Sequence, residues 1–430
     1  MSLLRIKIKQ SFKILSILGL SIVGIIPVFV ILFSQDFHPN NLESVRKLVV
    51  TVGKLEYKKE IPVRFMSRGE LKQYVSDLFD AEYTLEASQK DSKFLYLMGF
   101  EKEEPDLIKI RKRIILDYVG GVYSERKKEL AALYEYRDFD LFHNMVIFHE
   151  LRHGIQDQYF DIQKLLGNYS IFDDRQLSVL AALEGDATFL MLQCSQMDSY
   201  TMSSGSNTDA LLSFSPIAKP SAMSGSYPAV KGQLIMPYVD GLRFVDAVFH
   251  KRKWKSVNKI LSNPPTSTEQ ILHPEKYLKL EQPINVDILY KPSDYPLYHS
   301  GVIGEFFINL LLKPAEALDM RDFAMGWGGD KFSIYQNNTT SSMLLIWKSV
   351  WDKEEFCSRF YTDFKQYIEK RFNIEFKDGK SKGNEIPFVA GKSRLGEDYF
   401  FLIKIKSMLF YARTDSRNQM NTLINGGEYD

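Results

Sequence analysis

The segment His143–Asp161, HNMVIFHELRHGIQDQYFD, constrains this chain more than any other. Its pattern predicts a helix from Asp138 to about Lys164. Val146, Ile147, Phe148 and Leu151 surround a polar motif there, which argues that the helix is buried rather than laid on the surface. His149, Glu150 and His153 form the H-E-x-x-H pattern within it. Uncoordinated imidazoles are costly in an apolar interior, so the fold must bring them partners. The two histidines are about one helical turn apart, so they share a face and can hold one metal ion. Glu150 lies beside them, placed to accept a proton from water. The rival reading is a surface helix carrying two histidines by chance, and the apolar neighbours argue against it.

A catalytic zinc needs three protein ligands and one open position. The third is sought on a following helix, expected from Asp173 to about Met197, which contains SVLAALEGDATFLMLQ. Glu184 sits there in an otherwise apolar stretch, with Asp186 two positions on. A carboxylate in such a stretch is unfavourable when unpaired and favourable beside a dication. A solvent-facing carboxylate is the alternative.

These residues carry a resemblance. HELRHGIQDQYFD followed by ALEGDAT resembles the zinc site of gluzincin-type metallopeptidases, which use two histidines and a glutamate. More narrowly, the chain resembles a largely uncharacterised bacterial and archaeal family of predicted zinc metallopeptidases. Gly121-Val122-Tyr123 before the metal helix fits that family, as do Pro237, Tyr238 and Gly241, the segment PPTSTEQILHPEKY at 264–277, GWGGDKF at 326–332 and the W-x-x-x-W-D of 347–352. The resemblance spans about residues 60–400. It implies a zincin-like, mostly helical α+β unit that binds Zn2+ through His149, His153 and Glu184 and hydrolyses peptide bonds. Three features depart from the family pattern: Arg152 inside the motif, the turn SERKK, and a Ser- and Met-rich segment at 199–230. They bear on substrate preference rather than on metal binding.

The start of the chain sets the expected compartment. Arg5, Lys7, Lys9 and Lys13 form a basic leader at 1–13 without an acid, and Ile14–Phe33 gives 20 uncharged residues. Such a run rises about 30 Å as a helix, enough to cross a bilayer. Basic residues before it place the start in the cytoplasm and the remainder outside, in the periplasm or beyond the cell. A cleaved signal peptide is the rival, but the run is long for one and FSQDF offers no small-residue cleavage site. The expectation is therefore a single-pass signal-anchor, a tether at 34–60, a metallopeptidase unit at 61–380, and a C-terminal hairpin and tail at 381–430. Within the unit, 61–117 reads as largely helical, with a capping box at Ser67 and Glu70. A hairpin is expected at 118–135, where two apolar runs flank SERKK, with a free edge beside the metal helix. Residues 199–230 read as a long loop or lid. The segments GVIGEFFINLLL and DKEEFCSRFYTDFKQYIEKRF read as helices, and PFVAGKSRLGEDYFFLIKIKSMLFYA as one more hairpin.

Composition closes other routes. Lys and Arg number 55 against 54 Asp and Glu, so the formal charge of +1 gives no basic face for nucleic acid. The two cysteines, Cys194 and Cys357, exclude a disulfide-stapled scaffold and a cysteine-rich zinc module, though they can pair in an oxidising compartment.

His273 is the candidate donor to the oxyanion of peptide hydrolysis, with a plain turn histidine before Pro274 as the alternative. Tyr238 and Tyr298 are rival donors. Asp157 and Asp186 are candidates for orienting the ligand imidazoles. The reading is a membrane-anchored extracytoplasmic zinc metallopeptidase acting on a peptide or protein substrate, with Glu150 as general base. The alternative is a catalytically inactive zinc-stabilised surface scaffold that binds a partner.

Overall fold

The computed structural model describes residues 39–167, 170–196, 227–312, 322–380, 387–393, 396–426 and 429. The basic leader, the run 14–33, the first residues of the tether and residues 199–226 of the expected lid lie outside the described residues. The protein is α+β with helix predominant.

Helix α1 (Leu42–Gly53) starts at Asn41, whose side chain accepts the Ser44 N–H. Its buried Val45 and Val49 pack into the main core. The tether expected at 34–60 is thus in large part a docked helix: Leu42, Val45, Val49 and Val52 follow the helical period that a reading of the segment as polar overlooks, and they pack into the main core. Strand β1 (Val63–Met66) precedes α2 (Arg68–Glu82), whose capping box at Ser67 and Glu70 forms as expected. Helices α3 (Leu85–Met98) and α4 (Leu107–Tyr118) follow. The expected hairpin is β2 (Gly121–Ser124) and β3 (Glu129–Leu133), with Lys128 in the left-handed region at φ 55° closing its turn. β3 also pairs in parallel with β1, giving the sheet order β1-β3-β2 and leaving β2 at an edge.

Helix α5 (Leu141–Phe160) carries the H-E-x-x-H motif, and nearly every residue from Asn144 to Asp157 is buried. It ends at Asp161, at φ 54°, sooner than the sequence pattern predicts. α6 (Asp174–Cys194) lies across it. α6 is long and apolar enough to cross a membrane by length and composition, yet it is mostly buried inside the protein. Helix α7 (Pro228–Arg252) pairs with α6 and begins at Pro228, so residues 228–230 open a helix instead of ending a loop. Short helices at Thr268–Leu272 and Pro274–Leu278 lead to β4 (Leu297–Gly301) and α8 (Gly304–Leu312).

The remainder builds a seven-stranded sheet. β5 (Trp327–Gln336) and β6 (Met343–Trp351) precede α9 (Glu354–Phe372), then come β7 (Lys377–Lys380), β8 (Pro387–Lys392), β9 (Tyr399–Ile405), β10 (Met408–Thr414) and α10 (Arg417–Gly426). The order is β4-β5-β6-β10-β9-β8-β7. The C-terminal segment expected as an appended hairpin is therefore three strands of a shared sheet, because β10 pairs along its length with β6. Side chains alternate across this sheet. Leu345, Trp347 and Tyr411 join the main core beneath α9, while Leu344, Ile346 and Phe410 form a second core with Met420 and Leu423 of α10. Trp351 stacks on Phe360 of α9 at 4.6 Å. Cys194 and Cys357 are buried free thiols.

Candidate metal centre

α5 and α6 cross so that three side chains converge. His149 Nε2 lies 3.1 Å from Glu184 Oε2, His153 Nε2 lies 3.4 Å from the same oxygen, and the two imidazole nitrogens are 3.0 Å apart. His149 is 1% exposed, so the triplet closes the floor of a cleft rather than lying on a surface. Burial alone would raise the Glu184 carboxyl pKa, but the His153 charge and hydrogen bonds from both histidines hold it well below the usual carboxylate range. Burial likewise lowers the His153 imidazole pKa, and Glu184 and Glu150 overcome this and push it up to about 10. The pocket thus favours a positive charge at this point, which a proton or a cation can supply.

The packing of α7 on α6 depends on two glycines. A Cβ on Gly185 would meet the Gly241 carbonyl oxygen at 2.2 Å, and one on Gly241 would meet the Ala181 oxygen at 2.2 Å. α6 and α7 therefore touch backbone to backbone, one residue after Glu184 and three after Tyr238. Tyr238 lies parallel to the His149 ring at 6.0 Å. On the other side, Gly121 of β2 lets the hairpin close on α5, where an added Cβ would meet Val146 at 2.9 Å. Tyr123 then donates its backbone N–H to Glu150 Oε2 at 2.7 Å, fixing that carboxylate beside the histidines.

Gln156 is the residue that sequence reasoning missed. Its Nε2 donates to the Leu183 carbonyl at 3.0 Å and to Asp186 Oδ2 at 2.8 Å, which turns its Oε1 toward His153. His153 Nδ1–H donates to that oxygen at 2.8 Å. Once the imidazole is neutral, as a metal ligand must be, the tautomer this sets leaves the Nε2 lone pair facing His149 and Glu184. The available signal was its position three residues after His153, on the same helical face. Asp186 acts only through Gln156: it also takes the Arg152 guanidinium in two bonds of 2.9 Å. Asp157 does not reach a ligand imidazole. It accepts from the Tyr123 hydroxyl at 2.8 Å and Lys128 Nζ at 2.6 Å, tying the hairpin to the helix.

A cavity of about 250 Å³ opens over the triplet. Val75 and Phe79 of α2 and Ile115 of α4 supply an apolar wall, and Glu82 and Glu125 bring two more carboxylates. Burial, reinforced by the Glu82 charge, pushes Glu125 up to about 7. Tyr238 lines this cavity; His273 and Tyr298 do not. His273 sits elsewhere, with Nε2 2.9 Å from Glu305 Oε1, because it caps the junction of two short helices instead of projecting from α5, α6 or α7.

Residues 296–395 match a family described as a domain of unknown function (DUF8575). That stretch runs from β4 to beyond β8 and contains none of the triplet. No curated protein and no solved structure matches the chain.

Proposed function

We propose that this chain is a zinc-dependent metallopeptidase, held to a membrane by Ile14–Phe33 with its catalytic part outside the cytoplasm. The observation that carries the reading is the convergence of His149, His153 and Glu184 with Glu150 alongside. Their ligand atoms are separated by 3.0, 3.1 and 3.4 Å. Donors about 2.0–2.1 Å from a tetrahedral zinc stand roughly 3.3 Å apart, so the spacing fits the ion. Bound there, zinc supplies Lewis acidity toward water and a substrate carbonyl. Glu150 accepts the proton of the attacking water and returns it to the leaving amine. The Tyr123 N–H keeps Glu150 in place, and the apolar wall from α2 and α4 seats a substrate side chain. Tyr238 takes the role of donor to the developing oxyanion that the sequence offered to His273, since it lines the same cavity as the triplet.

The test is metal analysis followed by peptide-library digestion with a chelator control. His149→Ala and Glu184→Ala should each lose the zinc held at the triplet. Glu150→Gln should keep zinc and fold while turnover falls about 10²–10⁴-fold. A wild-type chain that holds zinc tightly at the triplet and cleaves nothing in a broad library would favour the scaffold reading instead.

A further inference from the structure

Among the described residues, a second group of side chains has the spacing of metal ligands. His273 follows the helix Thr268–Leu272, Glu305 opens α8, and Asp322 lies ahead of β5; one ligand atom from each lies within 4.8 Å of the others. Glu305 is 2% exposed, and while Oε1 meets His273 Nε2 at 2.9 Å, Oε2 has no hydrogen-bond partner among the described residues. A buried carboxylate oxygen left in that state is unfavourable unless a cation or donor reaches it. Asp322 is held in place by Asn309 Nδ2 at 2.7 Å and the Ala324 N–H at 3.1 Å, both on Oδ1. Of the nearby cations, Lys276 is already engaged by Glu269 at 2.6 Å and Glu281 at 2.7 Å, and Arg359 Nη2 donates to the Asp322 backbone carbonyl at 3.0 Å rather than to its carboxylate.

We propose that His273, Glu305 and Asp322 form a second divalent-metal site, separate from the triplet on α5 and α6. One imidazole and two carboxylates suit a first-row ion such as Zn2+ or Mn2+. Two carboxylates against one imidazole leave the cluster negative, and the ion supplies the missing charge. It clamps the short-helix junction and α8 onto the segment that enters the seven-stranded sheet, with water completing the coordination that three side chains leave open.

The test is metal stoichiometry on the full-length chain, stripped with chelator and dialysed against Zn2+ or Mn2+ alone. Wild type should hold two equivalents. Asp322→Asn and Glu305→Gln should each weaken one equivalent more than tenfold and leave the other, while His149→Ala removes only the other. A His149→Ala chain that still holds one equivalent, lost on adding Asp322→Asn, supports the second site even if the triplet is not a zinc centre. Stoichiometry unaltered by Asp322→Asn and by Glu305→Gln, with circular dichroism unchanged, overturns the proposal. Because Glu305 is buried, Asp322→Asn is the variant that separates ligand loss from misfolding.

Discussion

At Arg152 a guanidinium is 1% exposed inside the H-E-x-x-H motif. The surroundings account for it. Asp186 takes it in two hydrogen bonds, Asn258 Oδ1 accepts from Nη2 at 2.7 Å, and the Trp254 ring lies 5.4 Å below. Removing one partner of a buried pair strands the other charge, so Arg152→Leu should destabilise the fold by about 3–5 kcal/mol in urea titrations. The double variant Arg152→Leu, Asp186→Leu should lose clearly less than the sum of the two single losses. Additive losses would mean that the pair is not energetically coupled. His299 offers a test by pH. Burial, with the Lys90 charge adding, lowers its imidazole from 6.5 to about 4. A histidine kept neutral by the fold contributes stability that is complete above pH 6.5 and is lost as pH falls toward 4. His299→Gln removes that loss, so the variant should gain about 2–3 kcal/mol on wild type between pH 7 and pH 4. Asp91, 3.9 Å away, is raised to about 6 and has the opposite slope, so the comparison is made in an Asp91→Asn background, where that carboxylate no longer titrates. A difference between the two proteins that stays constant with pH would refute the assignment.

Helices α6 and α7 meet where Gly185 and Gly241 admit direct backbone contact. Gly185 is the neighbour of Glu184, so a shift of α6 at this contact would move the carboxylate relative to the two histidines on α5. Gly241→Ala must push the helices apart, and overpacking of this kind costs about 1–3 kcal/mol. Metal affinity should fall along with stability, measured by competition with a chromophoric chelator. Gly69→Ala is the control: a Cβ there meets nothing within 4 Å on the outer face of α2, so the change should be neutral or stabilise by up to about 1 kcal/mol. A Gly241→Ala protein with wild-type affinity would show that the crossing does not position the carboxylate.

Over the whole molecule, the sheet and the helical part share one core. Arg413 of β10 donates to the carbonyls of Tyr96 at 2.8 Å and Leu97 at 3.1 Å, at the end of α3, while Asp398 accepts from its guanidinium. Tyr367 of α9 donates to the Gly99 carbonyl at 2.7 Å. Residues more than 250 positions apart in sequence are thereby joined, so the two parts should not melt separately. Truncation after residue 393 deletes β9 and β10, exposes the edge of β6 and opens both cores. The truncated chain should be insoluble or unable to bind metal, as read by sedimentation and dialysis. Full-length protein should show coincident urea transitions by tryptophan fluorescence and circular dichroism. Well-separated transitions would show that the parts fold independently.

The H-E-x-x-H helix, its burial, the following helix with Glu184, the capping box at Ser67 and the 118–135 hairpin were legible in the sequence, because each rests on contacts within a few residues or on one apolar period. Much of the sheet was not. β5 contains Gly328 and Gly329, a residue type depleted in strands; Gly329 is needed because the Ile284 carbonyl oxygen comes within 2.2 Å of where a Cβ would stand. The position of β10 between β6 and β9 is a pairing between distant segments, and no local pattern encodes it. The same holds at the site. Spacing put His149 and His153 on one face, and apolar context singled out Glu184. Only tertiary packing decided that Gln156 sets the His153 tautomer, that Arg152 and Asp186 neutralise each other, and that Tyr238 rather than His273 lines the cavity. Local hydrogen bonds and periodicity belong to the sequence; which distant side chain reaches a buried polar atom is fixed only when the helices have crossed.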